Sequence, residues 1–483
     1  MPLARTLRVP PSLRRKAGTL LALLACLGAA PLAQAQSLVE LMERARGYDA
    51  TWQARQAETD AAYSRSEQAR AGLLPSVGLQ AGATRTRTEV SQPQFTLNAS
   101  SQTATLSAAQ PLYRPANRIT FTQGQRSFEI ALAQRDAAEQ DLIVRTSQAY
   151  FDVLGAEDAL RFVLAQKEAV AQQLAFAQRN FDVGNATITD SREAQARFDL
   201  IVAQEIAADN DLRVKRLALE QLVGTPGVRP LPLAQPVVLP PLAPADPQAW
   251  VEVSQGTQPQ LRQAQLALDV ARLETRKAET GHLPTVDLQA GYSVNNNPQG
   301  TVTAPQNGYR AKSASVGVQM NLPLFAGFSV QNRVKETLSL ERKAEADLDN
   351  ARRGIEQNTR AAFYGVQSGQ GQIRALEAAE ASSQSALDAN RLGYEVGVRI
   401  NIDVLNAQSQ LYQTKRDLAL ARYNLILGQL KLRQAAGTLS TDDLQAVNAL
   451  LASEPAPLPA PPGPAAPGPA AQLTPAQAPP AQR

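Results

Sequence analysis

The chain has 483 residues, 48 Lys+Arg against 44 Asp+Glu, one cysteine, one histidine and only 5 % aromatic residues. Five of the basic residues and no acidic one fall within residues 1–35, so the rest carries 43 positive against 44 negative charges, a net charge of −1, and nucleic acid is not expected as a partner. Cys26 is the lone cysteine and His282 the lone histidine, which excludes disulfides and leaves little for thiolate or imidazole chemistry, so no metal or other cofactor is expected.

The first segment carries Arg5, Arg8, Arg14, Arg15 and Lys16, then an apolar run from Leu20 to Ala30, then Ala33-Gln34-Ala35. It reads as a secretory signal peptide over residues 1–35, because the run is shorter than the roughly 20 residues of a spanning helix. Leu23-Leu24-Ala25-Cys26 also loosely resembles a lipidation box, which would make Cys26 the mature N-terminus. No later segment has the length of an apolar spanning helix, so membrane residence would have to rest on strands.

The chain reads as one unit written twice. Leu74-Pro75-Ser76-Val77-Gly78-Leu79-Gln80-Ala81-Gly82 recurs as Leu283-Pro284-Thr285-Val286-Asp287-Leu288-Gln289-Ala290-Gly291, and Pro111-Leu112-Tyr113 recurs as Pro323-Leu324-Phe325. Ala149-Tyr150-Phe151 matches Ala362-Phe363-Tyr364, and Phe181-Asp182-Val183-Gly184 matches Tyr394-Glu395-Val396-Gly397; Gly224 pairs with Gly437, all at one offset of 213.

Residues 36–224 and 248–437 therefore each predict a helix, two strands, a very long helix and a further helix. The strands are placed at about 73–90 and 102–113 in the first unit and at about 283–295 and 313–325 in the second. Polar stretches from Ser91 to Ser101 and from Asn295 to Lys312 are expected to be exposed hairpin loops. Between the units, residues 225–247 hold eight prolines in 23 residues and predict an extended connector. The tail, 454–483, holds eleven prolines and is expected to be disordered.

The strands alternate. Val286, Leu288, Ala290, Tyr292 and Val294 are separated by Asp287, Gln289, Gly291 and Ser293, and Ala314 to Leu322 repeats the pattern. The long helices, from about Ala116 to Asp182 and Gly327 to Glu395, lack proline and would run ~100 Å each, too long for one globule to bury. They need partners of similar length, which 185–223 and 398–436 offer as antiparallel returns. Four strands cannot close a membrane barrel of at least about eight. Several copies must share one; two would give a filled barrel, three a passage.

In its order of elements, its twofold repeat and its leader, the chain resembles the TolC family of outer-membrane factors over residues 37–437. The resemblance is carried by Gly281-His282-Leu283-Pro284-Thr285, by the corners Pro111-Leu112-Tyr113 and Pro323-Leu324-Phe325, and by Tyr394-Glu395-Val396-Gly397-Val398-Arg399-Ile400-Asn401-Ile402-Asp403-Val404-Leu405. It implies an α+β fold: a homotrimer in which 4 strands per chain make a twelve-stranded transmembrane β-barrel, joined to a periplasmic α-helical coiled-coil barrel. An equatorial belt is implied around the connector and the C-terminal segment 438–453. The resemblance further implies a passive exit duct in the outer membrane of a Gram-negative bacterium, with most of its mass in the periplasm. Its implied partners are outer-membrane lipid, a periplasmic membrane-fusion adaptor protein and an inner-membrane ABC or RND-type pump.

It also implies a gate at the periplasmic tip, where Gly184 and Gly397 turn the long helices. Arg399 resembles the gate arginine, Tyr394 the gate tyrosine, and Thr189 with Asp190 their partners on the facing coil; Asp403 would form an acidic ring. Where similar chains often carry a second aspartate, this one has Asn406. Plainer readings stand beside these: a capping box between Asp190 and Glu193, Arg399 as a solvated charge, Asp403 as a helix-dipole partner, and His282 as a structural corner residue. The alternative function is a soluble or surface-attached coiled-coil scaffold. No nucleophile–base pair, phosphate loop or ligand cluster points to an enzyme.

Overall fold

A computed structural model describes residues 36–452 apart from 93, 185, 238–240, 303 and 306. The signal-peptide reading of 1–35, the Cys26 alternative and the tail reading of 454–483 lie outside the described residues. The elements are α1 (Leu38–Tyr48), α2 (Ala50–Ala71), β1 (Ser76–Ser91), β2 (Gln94–Tyr113), α3 (Pro115–Asp182) and α4 (Ile188–Val223). After a non-helical stretch come α5 (Pro247–Thr257), α6 (Pro259–Glu279), a 3-10 turn (Thr280–His282) and β3 (Thr285–Asn297). The two-residue strands β4 (Gly300–Thr301) and β5 (Ala304–Pro305) precede β6 (Tyr309–Asn321), α7 (Ser329–Glu395), α8 (Asn401–Ala436) and α9 (Thr441–Asn448).

Two helices set the scale. α3 has 68 residues and α7 has 67, each about 100 Å long. Pro115, at the first position of α3, has no backbone N–H to waste and a φ already suited to a helix. α2 packs along the first half of α3 and α4 along the second, while α6 and α8 divide α7 in the same way; α3 also touches α6 and α8. No described helix is long and apolar enough to cross a membrane.

Such helices bury little per turn, and the thickest core lies at mid-length of α3. There Leu142, Ile143, Tyr150, Phe151 and Leu154 meet Leu38, Leu41 and Met42 of α1, Leu219 of α4, Ile426 and Leu430 of α8, and Leu444 of α9. Tyr150 donates its hydroxyl to the Leu231 carbonyl at 2.8 Å, tying the proline-rich connector to that core. Tyr423 donates to the Asp158 carboxylate at 2.7 Å, and Arg161 pairs with the same carboxylate. Burial pushes both phenols well above their usual range. A second core, with Trp250, Phe363, Val366 and Leu425, sits at mid-length of α7.

The four strands form a single antiparallel sheet in the order β1-β2-β3-β6. β1 and β2 stay paired as far as Ser91↔Gln94, so Gln94 to Ser101, expected as part of a loop, is strand. Similarly, β3 runs to Asn297 and β6 begins at Tyr309, with the β4–β5 hairpin inside the other expected loop. Backbone pairing continues through side chains of any polarity until a turn stops it, which polarity alone could not reveal. At the other end the strands begin later than expected, at Ser76 and Thr285, and Leu322 to Phe325 leaves the sheet.

Where α3, α6 and α7 converge below the sheet, Glu274 accepts from Arg333 at 2.8 Å and from Gln123 at 2.9 Å, and pairs with Lys277. Burial alone would raise its pKa, but bonds from Lys277, Gln123 and Arg333 outweigh that and lower it to about 2. A carboxylate held below its ordinary range stabilises the fold above the unfolded value near 4.5, and this stabilisation is lost as pH falls towards 2. Glu274→Gln is expected to cost about 1–3 kcal/mol at neutral pH. In thermal melts from pH 7 to 2.5 the deficit should shrink steadily towards the acid end; one that does not depend on pH would exclude the charged network as its source.

Candidate functional site

The sheet supplies one half of the site. Register aligns Val77 with Ala108, Ala290 and Val316, and Leu79 with Leu106, Tyr292 and Ala314, all on one face. The opposite face reads Gly78, Ser107, Gly291, Ser315 in one row and Gln80, Thr105, Ser293, Ser313 in the next. The apolar face is uncovered: Leu79 is 76 % exposed and Val316 80 %. Along β3 the apolar series runs from Val286 to Val294, roughly 27 Å of strand. Membrane barrels carry an apolar band about 25 Å tall. Among the described residues, the edge strands β1 and β6 each pair on one side only.

Charge enters the small polar face at the helix-proximal end. Asp287 accepts two bonds from Arg114, from Nε at 2.7 Å and from Nη2 at 2.5 Å, a fork that fixes the β2–α3 corner against β3.

The far ends of the long helices supply the other half. Both α3 and α7 end on a glycine in the left-handed region, Gly184 at φ 76° and Gly397 at φ 78°. An L side chain in that region costs roughly 1–2 kcal/mol. After α7 the Gly397 N–H reaches the Tyr394 carbonyl at 3.0 Å, and the Val398 N–H reaches the Gly393 carbonyl at 2.8 Å, the pair of bonds that closes a Schellman turn. Tyr394 is half-buried with its ring edge-on to Phe176 of α3, 5.8 Å between centroids.

The two turns re-enter their helices differently. α4 starts from Thr187 as cap: the Asp190 N–H reaches the Thr187 hydroxyl at 3.3 Å, and the Asp190 carboxylate accepts from the Thr187 N–H at 3.0 Å. The box expected between Asp190 and Glu193 thus forms one turn earlier, with Asp190 at its third helical position rather than at its cap. α8 starts from Ile400, which has no side-chain acceptor. Asp403, at the corresponding position, is approached instead by Arg399 at 3.6 Å. The Arg399 side chain is 59 % exposed, and an exposed pair of this kind contributes ~0–1 kcal/mol.

Within one chain Arg399 is therefore paired with Asp403 and not with Asp190 or Thr189; Thr189 is exposed. The structure joins the two coils through other residues. Asn401, fully buried at the start of α8, accepts from the Gln173 amide of α3 and donates to the Asp190 carbonyl at 3.5 Å. Asn406, expected to be only a missing charge, accepts from Arg197 of α4 at 2.7 Å. Asn401 could have been singled out beforehand as a lone amide among Ile400, Ile402, Val404 and Leu405. Nothing in the sequence links Gln173 or Arg197 to it.

The model of the outer membrane efflux protein family matches residues 41–225 and 250–438. The chain belongs to this family. It is similar to the outer membrane protein TolC of Vibrio cholerae, 33 % identical over 415 residues that cover 86 % of this chain and 94 % of that protein. It is also similar to the proteases secretion protein PrtF of Dickeya chrysanthemi, 31 % identical, with 92 % and 96 % covered. The crystal structure of VceC from Vibrio cholerae shares the fold at a TM-score of 0.70 and 19 % identity, with 83 % of this chain and 96 % of that one covered. As a TolC-type member of the family, the protein is an outer-membrane exit channel for efflux or type I secretion, with a large periplasmic part.

In this family member Asn401 is the fully buried polar joint between the coils, beside the exposed pair Arg197–Asn406. Asn401→Ala should leave the Gln173 amide short of its partner and remove the added bond to the Asp190 carbonyl, at a cost of about 1–3 kcal/mol. Hydrogen exchange at residues 186–192 and 396–402 should accelerate about tenfold or more while the mid-length core stays protected. Unchanged exchange at both turns would remove Asn401 as the joint.

Proposed function

We propose that three copies of this chain build one passive duct: a twelve-stranded barrel in the outer membrane above a periplasmic coiled-coil barrel. The carrying observation is the sheet, with its apolar face bare and both edges open among the described residues of one chain. A scaffold protein would cover that face, whereas hydrocarbon tolerates it but penalises unpaired backbone by several kcal/mol per group. Pairing β1 of one copy with β6 of the next closes the ring. The Gly/Ser/Thr/Gln face then lines the passage.

In this reading residues 36–224 and 248–437 are two structural repeats, 225–247 joins them, and 438–453 completes an equatorial belt. The duct does no chemistry; energy comes from an inner-membrane ABC or RND-type pump reached through a periplasmic membrane-fusion adaptor.

The gate is at the tip. Arg399, Tyr394, Thr189 and Asp190 form its latch between neighbouring coils of the assembled trimer, with Arg399 exposed enough to exchange Asp403 for a partner on another coil. Three copies of Asp403 form one acidic ring, and Asn406, engaged by Arg197, adds no second.

Arg399→Ala should raise single-channel conductance in planar bilayers, and Asp403→Ala should lower cation selectivity and divalent block. Unchanged conductance in the first variant removes the latch, and unchanged selectivity in the second removes the ring. A processed wild-type protein that runs as a water-soluble monomer would overturn the duct itself.

A further inference from the structure

Five charged side chains stand on the hairpin half of the sheet: Arg85, Arg87 and Glu89 of β1, and Arg310 and Lys312 of β6. β2 has none, and Asp287, the lone charge of β3, lies at the opposite end. Alternation puts all five on the apolar face. In β1 they continue the series Val77, Leu79, Ala81, and in β6 the series Met320, Val318, Val316.

The change along that face is abrupt. The row Ala81, Ala104, Val294 ends in Lys312; the next reads Ala83, Gln102, Asn296, Arg310; beyond it stand Arg85 opposite Ser100 and Arg87 opposite Asn98. Glu89 is engaged by Arg87 on its own strand at 2.9 Å. Arg85, Arg310 and Lys312 are exposed and have no carboxylate within ion-pair distance among the described residues. Charges serving the passage would sit on the opposite face. Cations bordering an apolar band, on the side away from the helices, stand at the depth of the outer leaflet's head groups.

We infer that Arg85, Arg87, Arg310 and Lys312 form an outward-facing girdle that binds the phosphate groups of anionic glycolipid in the outer leaflet. Guanidinium forks match phosphate oxygens bidentately, and each cation adds attraction to an anionic surface. The girdle is split between the two edge strands. When β1 of one copy meets β6 of the next, Arg85 and Arg87 come to the same seam as the neighbour's Arg310 and Lys312, so one bound head group bridges two copies. This rests on the duct reading, because only a closed barrel has such seams and an outward face.

The test uses the full processed chain, delipidated in neutral detergent, with three probes: diphosphorylated lipid A, the same lipid with its phosphates removed, and phosphatidylcholine. The readout is the temperature at which the oligomer dissociates. The diphosphorylated lipid should raise it for wild type, and the rise should be lost in the variant Arg85→Gln/Arg87→Gln/Arg310→Gln/Lys312→Gln. It should largely survive in Arg85→Lys/Arg87→Lys/Arg310→Lys. Conductance in phosphatidylcholine bilayers should be the same for all three proteins. Equal stabilisation by the dephosphorylated lipid, or an undiminished response of the glutamine variant, overturns the inference, because the apolar band would then hold the lipid by itself. So does a glutamine variant that is already monomeric without lipid, since the cations would then serve contact between copies. A wild type that forms no channel overturns the duct reading, and the girdle with it.

Discussion

The backbone of two strands governs this molecule. Among the described residues, β1 and β6 each carry a row of N–H and C=O groups with no neighbouring strand, beside an apolar face that no helix covers. Water would satisfy the first need but not the second, and hydrocarbon the second but not the first. Only another strand, presented in lipid, answers both. In the proposed duct, further copies of the same chain supply that strand, each bringing the complementary edge.

The helices answer a different constraint. A 68-residue helix cannot fold around its own core, so α3 borrows one from each partner it passes: α2 near the sheet, α1, α9 and the connector at mid-length, α4 towards the tip. Burial is concentrated at the middle, around Tyr150 and Phe151, and thins towards the tip, where small clusters around Ile201 and Leu411 hold the coils. Local opening is cheapest where apolar contacts are fewest, so the tip ends of the helices can open while the middle keeps its fold.

Much of this was legible in the sequence because it follows from short-range rules. Alternation in β3 and β6, the absence of proline from α3 after its first residue and from α7, and glycine at 184 and 397 each prescribe local geometry with little help from neighbours. The strand ends were less legible: Gln94 to Ser101 looks like a loop by polarity, and pairing with β1 makes it strand. At the tip, the cap of α4 proved to be Thr187, which a side chain at position 190 selects by reaching back three residues. The Asn401–Gln173 contact joins residues 228 apart, and no spacing rule reaches that far.

Both described ends of the chain are stitched into the middle of the structure. The Gln36 N–H reaches the Arg229 carbonyl at 2.9 Å and the Ala452 N–H reaches the Pro232 carbonyl at 2.8 Å, on either side of Leu231, which holds Tyr150. Ala452 therefore sits at mid-length of α3, far from both the sheet and the helix turns. An affinity handle or fluorescent reporter placed at that level would stand far from the strand hairpins and from the turns at Gly184 and Gly397 alike.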